Sequence, residues 1–244
     1  MKINVEYIDT REEEQILSTQ EQEALLRAQN SLKKLPYLAI KRLTDIIFAC
    51  LGLVFMLPLM LVVKIGNLIT GDTAPIFYKT TRIGKNGKHF NFYKFRSMVV
   101  TKDGKSAEAL LEETLNSDPA LRAQWEKYRK LDNDPRITKM GKFIRKTSID
   151  EFPQFWSVLK GDMSLIGPRP LMIGELDEND GDHERYESMR PGITGWWAAN
   201  GRSKISYQRR LALEYWYTEN ASTLVDLECI WRTLKTMLVG SGSK

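Results

Sequence analysis

The chain has 244 residues, enough for one or two domains with a sizeable core, and its formal net charge is +5. Residues 1–32 hold seven acidic and three basic side chains, a net −4, which leaves +9 on the remainder. A basic body indicates an anionic partner: nucleic acid, anionic lipid or a phosphorylated substrate. Two cysteines and two histidines are too few for a disulfide framework or a Cys/His zinc cluster, and they favour a reducing, cytosol-facing protein.

The N-terminal segment, residues 11–35, is rich in Glu, Gln and Leu, with apolar residues at helical spacing. The pattern predicts a solvated amphipathic helix. We place an acidic N-terminal helix or tail at residues 1–36. It is a candidate self-association element, and a homodimer is kept as one candidate assembly.

The next feature is an apolar run, Ile46–Val63, of eighteen residues without a charge, which is at the threshold for a membrane segment. The alternative is a buried core helix, but a run that is apolar all round is hard to bury in a small domain. Pro58 interrupts the run. The twelve residues before it would rise ~18 Å as a helix, short of the ~30 Å hydrocarbon core.

Both flanks of the apolar run are basic. The cations are Lys33, Lys34, Lys41 and Arg42 before it, and Lys64, Lys79, Arg82, Lys85 and Lys88 after it. The positive-inside rule places both flanks on the cytoplasmic side. The sequence therefore predicts a re-entrant hairpin bent at Pro58, over residues 37–70, rather than a straight span with one basic flank outside.

A β-hairpin is predicted over Ile76–Met98, where Asn86-Gly87 is a type I′ turn signal. The hairpin ends in Lys94-Phe95-Arg96-Ser97-Met98, which interleaves cations with an aromatic residue. A helical insert follows over residues 102–133, as two helices broken near Asp118-Pro119.

The stretch Gly141–Pro170 places two adjacent carboxylates, Asp150 and Glu151, at the start of a predicted helix. Ser148 and Glu151 have capping-box spacing, and Gly161 is a natural end for the helix. Capping alone explains first-turn acids. The same position, beside cations, also keeps a carboxylate ionised and binds anions, so a chemical role stays open.

Toward the C-terminus, Arg190 and Arg202 border a Gly-containing stretch, and two arginines can fork onto phosphate. The acidic loop Gly174–Glu187 lacks the ligand spacing of a calcium loop. Two closing helices are predicted, Tyr207–Thr218 and a second, Leu224–Val239, capped by Ser222. Their aromatic residues suit a membrane interface, and core packing explains any single one equally well.

Several motifs follow one another in a fixed order. They are Lys41-Arg42 with Asp45, Arg82-Ile83-Gly84, the run 94–98, Asp134-Pro135-Arg136-Ile137-Thr138, the run 145–151, the run 160–170 and Arg190-Pro191-Gly192-Ile193-Thr194-Gly195. Over about residues 37–239 this set resembles the bacterial sugar transferase family. These are the monotopic phosphoglycosyl transferases that prime exopolysaccharide, capsule and O-antigen synthesis.

The resemblance implies that a UDP-sugar donates sugar-1-phosphate to undecaprenyl phosphate and releases UMP, through a covalent aspartyl-phosphosugar and with Mg²⁺. By motif, Asp150 is the nucleophile and the Mg²⁺ contact, and Glu151 is its partner in the dyad. Arg145 matches the phosphate-binding arginine. The residues assigned with it to nucleotide-sugar and phosphate binding are Lys94, Arg96, Arg169, Arg190 and Arg202.

The expected fold is α+β and mostly helical, anchored in the membrane by a Pro-bent re-entrant helix, with a small β-hairpin and amphipathic interfacial helices. A catalytic domain, residues 71–239, would face the cytoplasm from the bacterial inner membrane, followed by a disordered tail at 240–244. The chain departs from the family at Leu57, where a small polar residue is common, and at the stretch 197–202. The helical insert resembles that of longer family members that transfer galactose- or glucose-phosphate, so the resemblance favours galactose or glucose as the sugar.

Two other readings stay open: a membrane phosphotransferase that uses a CDP-linked donor, and a non-catalytic membrane scaffold. Nucleic-acid binding would explain the basic body but not the apolar run, so no nucleic-acid partner is expected.

Overall fold

A computed structural model describes residues 10–102, 105–128, 131, 133–201 and 205–238. The helices are α1 Thr10–Ile69, α2 Ala107–Ser117, α3 Pro119–Tyr128, α4 Lys139–Lys146, α5 Gln154–Lys160, α6 His183–Glu187, α7 Trp196–Ala199, α8 Tyr207–Asn220 and α9 Thr223–Leu238. The strands are β1 Phe77–Ile83, β2 His89–Phe95, β3 Thr101–Lys102, β4 Lys105–Ser106, β5 Ser164–Ile166 and β6 Gly192–Thr194. The described chain is thus mostly helical with small sheets, as expected. It divides into two compact units, Met1–Leu43 and Thr44–Lys244.

Helix α1 includes the predicted N-terminal helix and the apolar run. Its part Lys34–Ile69 is long and apolar enough, by length and composition, to cross a membrane. Most of its large apolar side chains are exposed, Val54 and Leu57 to 65% each, so a buried core helix is not what forms. The helix assignment continues through Pro58 without a break. The re-entrant bend therefore stays a prediction.

Within the second unit, one side of α1 packs closely on the rest of the domain. Asp45 is buried and accepts hydrogen bonds from the Ser164 hydroxyl (3.0 Å) and the Leu165 backbone N–H (2.8 Å). A Cβ atom at Gly52 would lie 2.4 Å from the Phe155 ring. Because real Cβ atoms do not approach so closely, any larger residue at position 52 would displace the Phe155 ring.

The β1–β2 hairpin has the predicted turn. The Lys88 backbone N–H donates to the Lys85 carbonyl, and the two central residues have positive φ, 56° at Asn86 and 69° at Gly87. Positive φ at both positions is what a type I′ turn requires. The strands pair antiparallel from Phe77↔Phe95 to Ile83↔His89.

Buried hydrophobic clusters pack against both faces of the hairpin. Phe90 and Phe92 pack with Ala49 of α1 and with Val158 and Met163. On the other face, Phe95 packs with Val63 of α1 and Ile144 of α4. A third cluster holds Ile83, Leu171, Leu176, Tyr186 and Leu211. The hairpin is therefore fixed between the apolar helix and the helices that precede and follow the dyad.

The insert and the closing helices match their predictions. Helix α2 ends at Ser117, and Pro119 opens α3, where a missing N–H costs little. The Ser222 hydroxyl accepts from the Val225 N–H at 3.4 Å and caps α9. The parallel pairing of β5 with β6 was not predicted. The predicted helix end at Val239 and the tail 240–244 lie outside the described residues.

Candidate active site

The dyad lies on a tight turn between α4 and α5. Ser148 has φ 57°, a left-handed conformation that reverses the chain after α4, and Ile149–Glu151 then form one turn of 3₁₀ helix. The Ser148 side chain caps nothing, and α5 begins later, after Pro153. The predicted capping box is therefore wrong, because Ser148 is not in the extended conformation that an N-cap requires. Gly161, with φ 90°, does end α5 as predicted.

Lys94 joins the two carboxylates. Its ammonium lies 3.4 Å from Asp150 Oδ2 and 3.4 Å from Glu151 Oε1. Both contacts are longer than the ~2.7–2.9 Å of a tight charge-assisted hydrogen bond. Asp150 is only 9% exposed. The structure thus brings Lys94, Asp150 and Glu151 together as one loosely paired group.

Arg145 supplies a second positive charge to this group. Its Nε donates to the Ser97 hydroxyl at 2.8 Å, which fixes the guanidinium. Burial lowers the pKa of Arg145, and the charges of Asp150 and Asp134 oppose that change. Because arginine stays protonated even so, Arg145 acts as a fixed cation near Asp150.

Arg96 is held by the chain itself. It is 6% exposed and donates to the carbonyls of Pro75, Met98 and Ala74 and to the Asp72 carboxylate at 2.7 Å. These bonds tie the end of β2 to the segment before β1. Binding of a ligand by Arg96 stays a prediction, and this geometry favours a structural role.

Arg190 lies apart from the dyad. Its Nε donates to the Gly161 carbonyl at 2.7 Å, and it lines an open cleft of about 430 Å³ with residues of the hairpin turn. His89, which also lines that cleft, is the first residue of β2 and lies five residues from Lys94, ~17 Å along a strand. Arg202 lies outside the described residues.

Arg169 belongs to a charged group that sequence reasoning missed. Arg169 Nη1 and Arg210 Nη2 donate to the same oxygen of Glu175, Oε1, at 2.8 and 3.1 Å. Below them is Glu214, whose side chain is fully buried. Glu214 Oε1 lies 3.8 Å from Arg210 Nε, beyond hydrogen-bond distance. We call Arg82, Arg169, Arg210, Glu175 and Glu214 the arginine cluster.

The Glu214 carboxyl has an altered acidity. Burial raises its pKa to about 8, although the charges of Arg210 and Arg169 and the Arg169 backbone N–H act in the opposite direction. Neither of its oxygens has a hydrogen-bond partner of normal geometry among the described residues. Near neutral pH this carboxyl is therefore mostly protonated. Two of the sequence motifs include residues of the cluster: Arg82-Ile83-Gly84, and the run 160–170 through Arg169, which the sequence assigned to nucleotide-sugar binding.

The donor set of the dyad suits Mg²⁺. Among the described residues, no group of three or more His, Cys, Asp or Glu side chains could hold a metal ion. Mg²⁺ is commonly bound by only one or two carboxylates, with water and substrate phosphates as the other ligands. Asp150 and Glu151 supply such oxygens, so the residues present fit that ion.

Comparison with known proteins assigns the family. The family model described as "Bacterial sugar transferase" matches residues 36–240. The chain therefore belongs to the bacterial sugar transferase family, which confirms the family that the ordered motifs indicated.

Three relatives illustrate the similarity. The undecaprenyl-phosphate galactose phosphotransferase of Salmonella typhimurium is 42% identical over 219 residues, 90% of this chain and 44% of that protein. The exopolysaccharide production protein ExoY of Sinorhizobium fredii is 39% identical over 203 residues, 83% of this chain and 87% of that protein. A UDP-N-acetylgalactosamine-undecaprenyl-phosphate N-acetylgalactosaminephosphotransferase of Aeromonas hydrophila is 35% identical, over 85% of this chain and 46% of that protein. The chain spans under half the length of the first and third relatives.

Proposed function

We propose that this chain is a phosphoglycosyl transferase that moves sugar-1-phosphate from a UDP-sugar to undecaprenyl phosphate and releases UMP, priming polysaccharide synthesis. The observation that carries the proposal is the dyad of Asp150 and Glu151, joined by Lys94 and backed by Arg145. The names of two relatives supply the lipid and the kind of donor. Because they name different sugars, the sugar is left open.

In the first step, a carboxylate oxygen of Asp150 attacks the phosphorus that bears the sugar. The bond from that phosphorus to the bridging oxygen breaks, and UMP leaves with the electron pair. Phosphoryl transfer depends mainly on positioning and charge neutralisation. Lys94 contacts Asp150, and Arg145, fixed by Ser97, interacts electrostatically with it, so both would neutralise charge on the transferring phosphate.

In the second step, a phosphate oxygen of undecaprenyl phosphate attacks the same phosphorus. The bond to Asp150 breaks and the carboxylate is regenerated, so one difficult displacement becomes two easier ones. Asp150, with Glu151, would hold Mg²⁺, which when bound neutralises phosphate charge. Glu151 is kept near Asp150 by their shared contact with Lys94.

We further propose that the apolar part of α1 re-enters the cytoplasmic leaflet of the inner membrane, bent at Pro58. Two contacts support a common side for the two ends of the run: Asp45, near one end, bonds to β5, and Gly66, near the other end, lies against Met140 of α4. Both ends of the run thus contact the same domain. Basic flanks on both sides agree with this topology.

Helix α9 supports an interfacial position for the same domain. Leu224 and Leu227, and Trp231 one turn further on, share a face and are 78, 57 and 65% exposed. An exposed apolar stripe of this kind suits a helix that lies in the headgroup region. The dyad would then sit at the height of the lipid phosphate.

The test is release of UMP by the full-length protein in nanodiscs with Mg²⁺, undecaprenyl phosphate and a panel of UDP-glucose, UDP-galactose and UDP-N-acetylgalactosamine. We expect UMP from at least one donor, and a loss of about 10³-fold or more in Asp150→Asn because the nucleophile is gone. Asp118→Asn, an exposed acid of the insert, is the matched control. CMP release from a CDP-linked donor, with none from the panel, would refute the proposal.

A further inference from the structure

Arg82 has donor capacity that the chain does not use. Its guanidinium lies over Phe92, with Cζ 5.3 Å from the ring centroid, and its Nη1 makes one long bond, 3.4 Å, to the Pro170 carbonyl. Its Nε is buried without a hydrogen-bond partner among the described residues. Buried donors are almost always satisfied, so a group left unsatisfied requires an explanation.

Positive charge in the arginine cluster exceeds negative charge. Burial lowers the pKa of Arg82, and the positive charge of Arg169 lowers it further. The two guanidinium groups are therefore close enough to repel each other. Glu175 is the one carboxylate of the cluster in hydrogen bonds with these arginines, and it serves both Arg169 and Arg210. Because Glu214 is mostly protonated, three guanidinium groups face about one negative charge. Half-buried charges of one sign are costly unless an anion completes the site.

The cluster lies next to the dyad. Arg82, Phe92 and Lys94 are on the same face of the hairpin, because the pairs Arg82↔Phe90, Thr80↔Phe92 and Tyr78↔Lys94 place alternate residues on one side. The Lys94 ammonium is 5.7 Å from the Phe92 centroid. Arg82 Cζ is 5.3 Å from the same centroid. The Arg82 and Lys94 cations are therefore at most about 11 Å apart, the sum of the two distances.

Two neighbouring phosphates fit within that upper limit. A phosphate oxygen accepts from a guanidinium or an ammonium at ~2.7–2.9 Å, so a diphosphate can contact Lys94 at one end and Arg82 at the other. The phosphate at the Lys94 end is then beside Asp150, where attack would occur. The phosphate at the Arg82 end is the one that departs.

We propose that Arg82, together with Arg169, binds the phosphate of the nucleotide donor that is not attacked and that leaves as UMP. Guanidinium groups suit this task because they bind phosphate with two parallel bonds. Charge develops on this phosphate as its bridging bond breaks, so the pair also stabilises the leaving group. Glu175 is a positioning residue that orients Arg169. The inference rests on the proposed transferase function and names a residue to which that proposal gives no role.

The test is binding of UMP to full-length protein in nanodiscs by calorimetry, with steady-state kinetics in which UDP-sugar and undecaprenyl phosphate are varied separately. In Arg82→Gln we expect UMP affinity to fall and the KM for donor to rise about tenfold, as for the loss of a charged hydrogen bond. The KM for undecaprenyl phosphate should stay within about twofold. Arg82→Lys should recover part of the loss because it keeps the charge. Arg122→Gln, an exposed arginine paired with Glu112, is the matched control.

Each outcome decides the inference. Unchanged UMP affinity in a folded Arg82→Gln protein would overturn it. A rise only in the KM for undecaprenyl phosphate would assign the site to the lipid phosphate, which has the same chemistry, and would also overturn the nucleotide assignment. If Arg82→Gln unfolds, a folded Arg82→Lys protein decides: a UMP affinity below that of the wild type supports the inference, because lysine cannot make the two parallel bonds, and wild-type affinity overturns it. Absence of UMP binding and release in the wild type would instead refute the transferase function itself.

Discussion

The dyad and the arginine cluster both mix charges, but they hold them differently. In the dyad, one half-buried lysine reaches two carboxylates at 3.4 Å each. In the cluster, the Glu175 carboxylate accepts hydrogen bonds from Arg169 at 2.8 Å, from Arg210 at 3.1 Å and from the Met172 backbone N–H at 2.9 Å. A nucleophile must be free to move onto its target, whereas a binding group must be fixed before the ligand arrives. The loose pairing in the dyad and the tight pairing of Arg169 with Glu175 fit those two roles.

The first way to test this contrast is to remove the single cation that joins the dyad. Lys94→Met should lower kcat about 10²-fold, as does loss of one donor that stabilises a transition state. The KM for the donor should change less, because Arg82 and Arg169 remain. Kinetics of UMP release measure both quantities.

The control for Lys94 is Lys79→Met, on the opposite face of the hairpin and exposed. It should keep full activity. A Lys94→Met protein with activity within about twofold of wild type would show that the dyad works without its bridge.

The second test loosens the tight site. Glu175→Gln keeps the shape but loses the charge that holds Arg169 and Arg210, so we expect the KM for the UDP-sugar to rise about tenfold. The value of kcat should change less, because the dyad is untouched. Glu112→Gln, an exposed acid in the insert, is the control. A tenfold fall in kcat with no change in the KM for the UDP-sugar would contradict a positioning role for Glu175.

The third and smallest effect is on stability. Glu214 has a pKa raised from an ordinary 4.5 to about 8 by burial, so the folded state binds a proton that the unfolded state releases. Stability from this group is full below pH 4.5 and is lost as the pH rises toward 8. Arg169, Arg210 and Glu175 face the same carboxyl.

Glutamine imitates the protonated acid at every pH. Glu214→Gln should therefore match wild type near pH 5 and exceed its Tm at pH 8.5 by about 3 °C or more, since each kcal/mol shifts Tm by ~2–4 °C at this size. Thermal unfolding at both pH values measures it. Glu178→Gln, on an exposed loop, should show no such difference. A constant Tm offset would mean that Glu214 is charged throughout.

Features written in neighbouring residues were predictable from the sequence. The Asn86-Gly87 turn, the helix break at Pro119 and the helix end at Gly161 each depend on local backbone chemistry. The apolar helix was predictable because its apolar residues are consecutive in the sequence. The ordered motifs gave the family, because their order survives insertions that change the spacing.

Features that depend on the tertiary fold were not predictable. Ser148 has capping-box spacing, yet its left-handed conformation rules the box out, because the turn between α4 and α5 overrides local preference. Arg96 looked like a ligand-binding cation and is held by four acceptors of its own chain. Glu175, Arg210 and Glu214 come from distant segments, and no pattern in the sequence places them beside Arg82.

The contact between Gly52 and Phe155 has a practical consequence for work with this protein. The apolar helix is part of the folded domain and cannot simply be removed. Ala49 and Val63 are at most 1% exposed and belong to the clusters that hold Phe92 and Phe95, respectively. Deleting the helix to obtain a water-soluble enzyme would remove Ala49 and Val63 from these two clusters and leave the Ser164 hydroxyl without Asp45, its acceptor. With the membrane insertion proposed above, lipid or detergent around the exposed side of this helix is part of the folded protein's environment, and its choice will set how much activity survives purification.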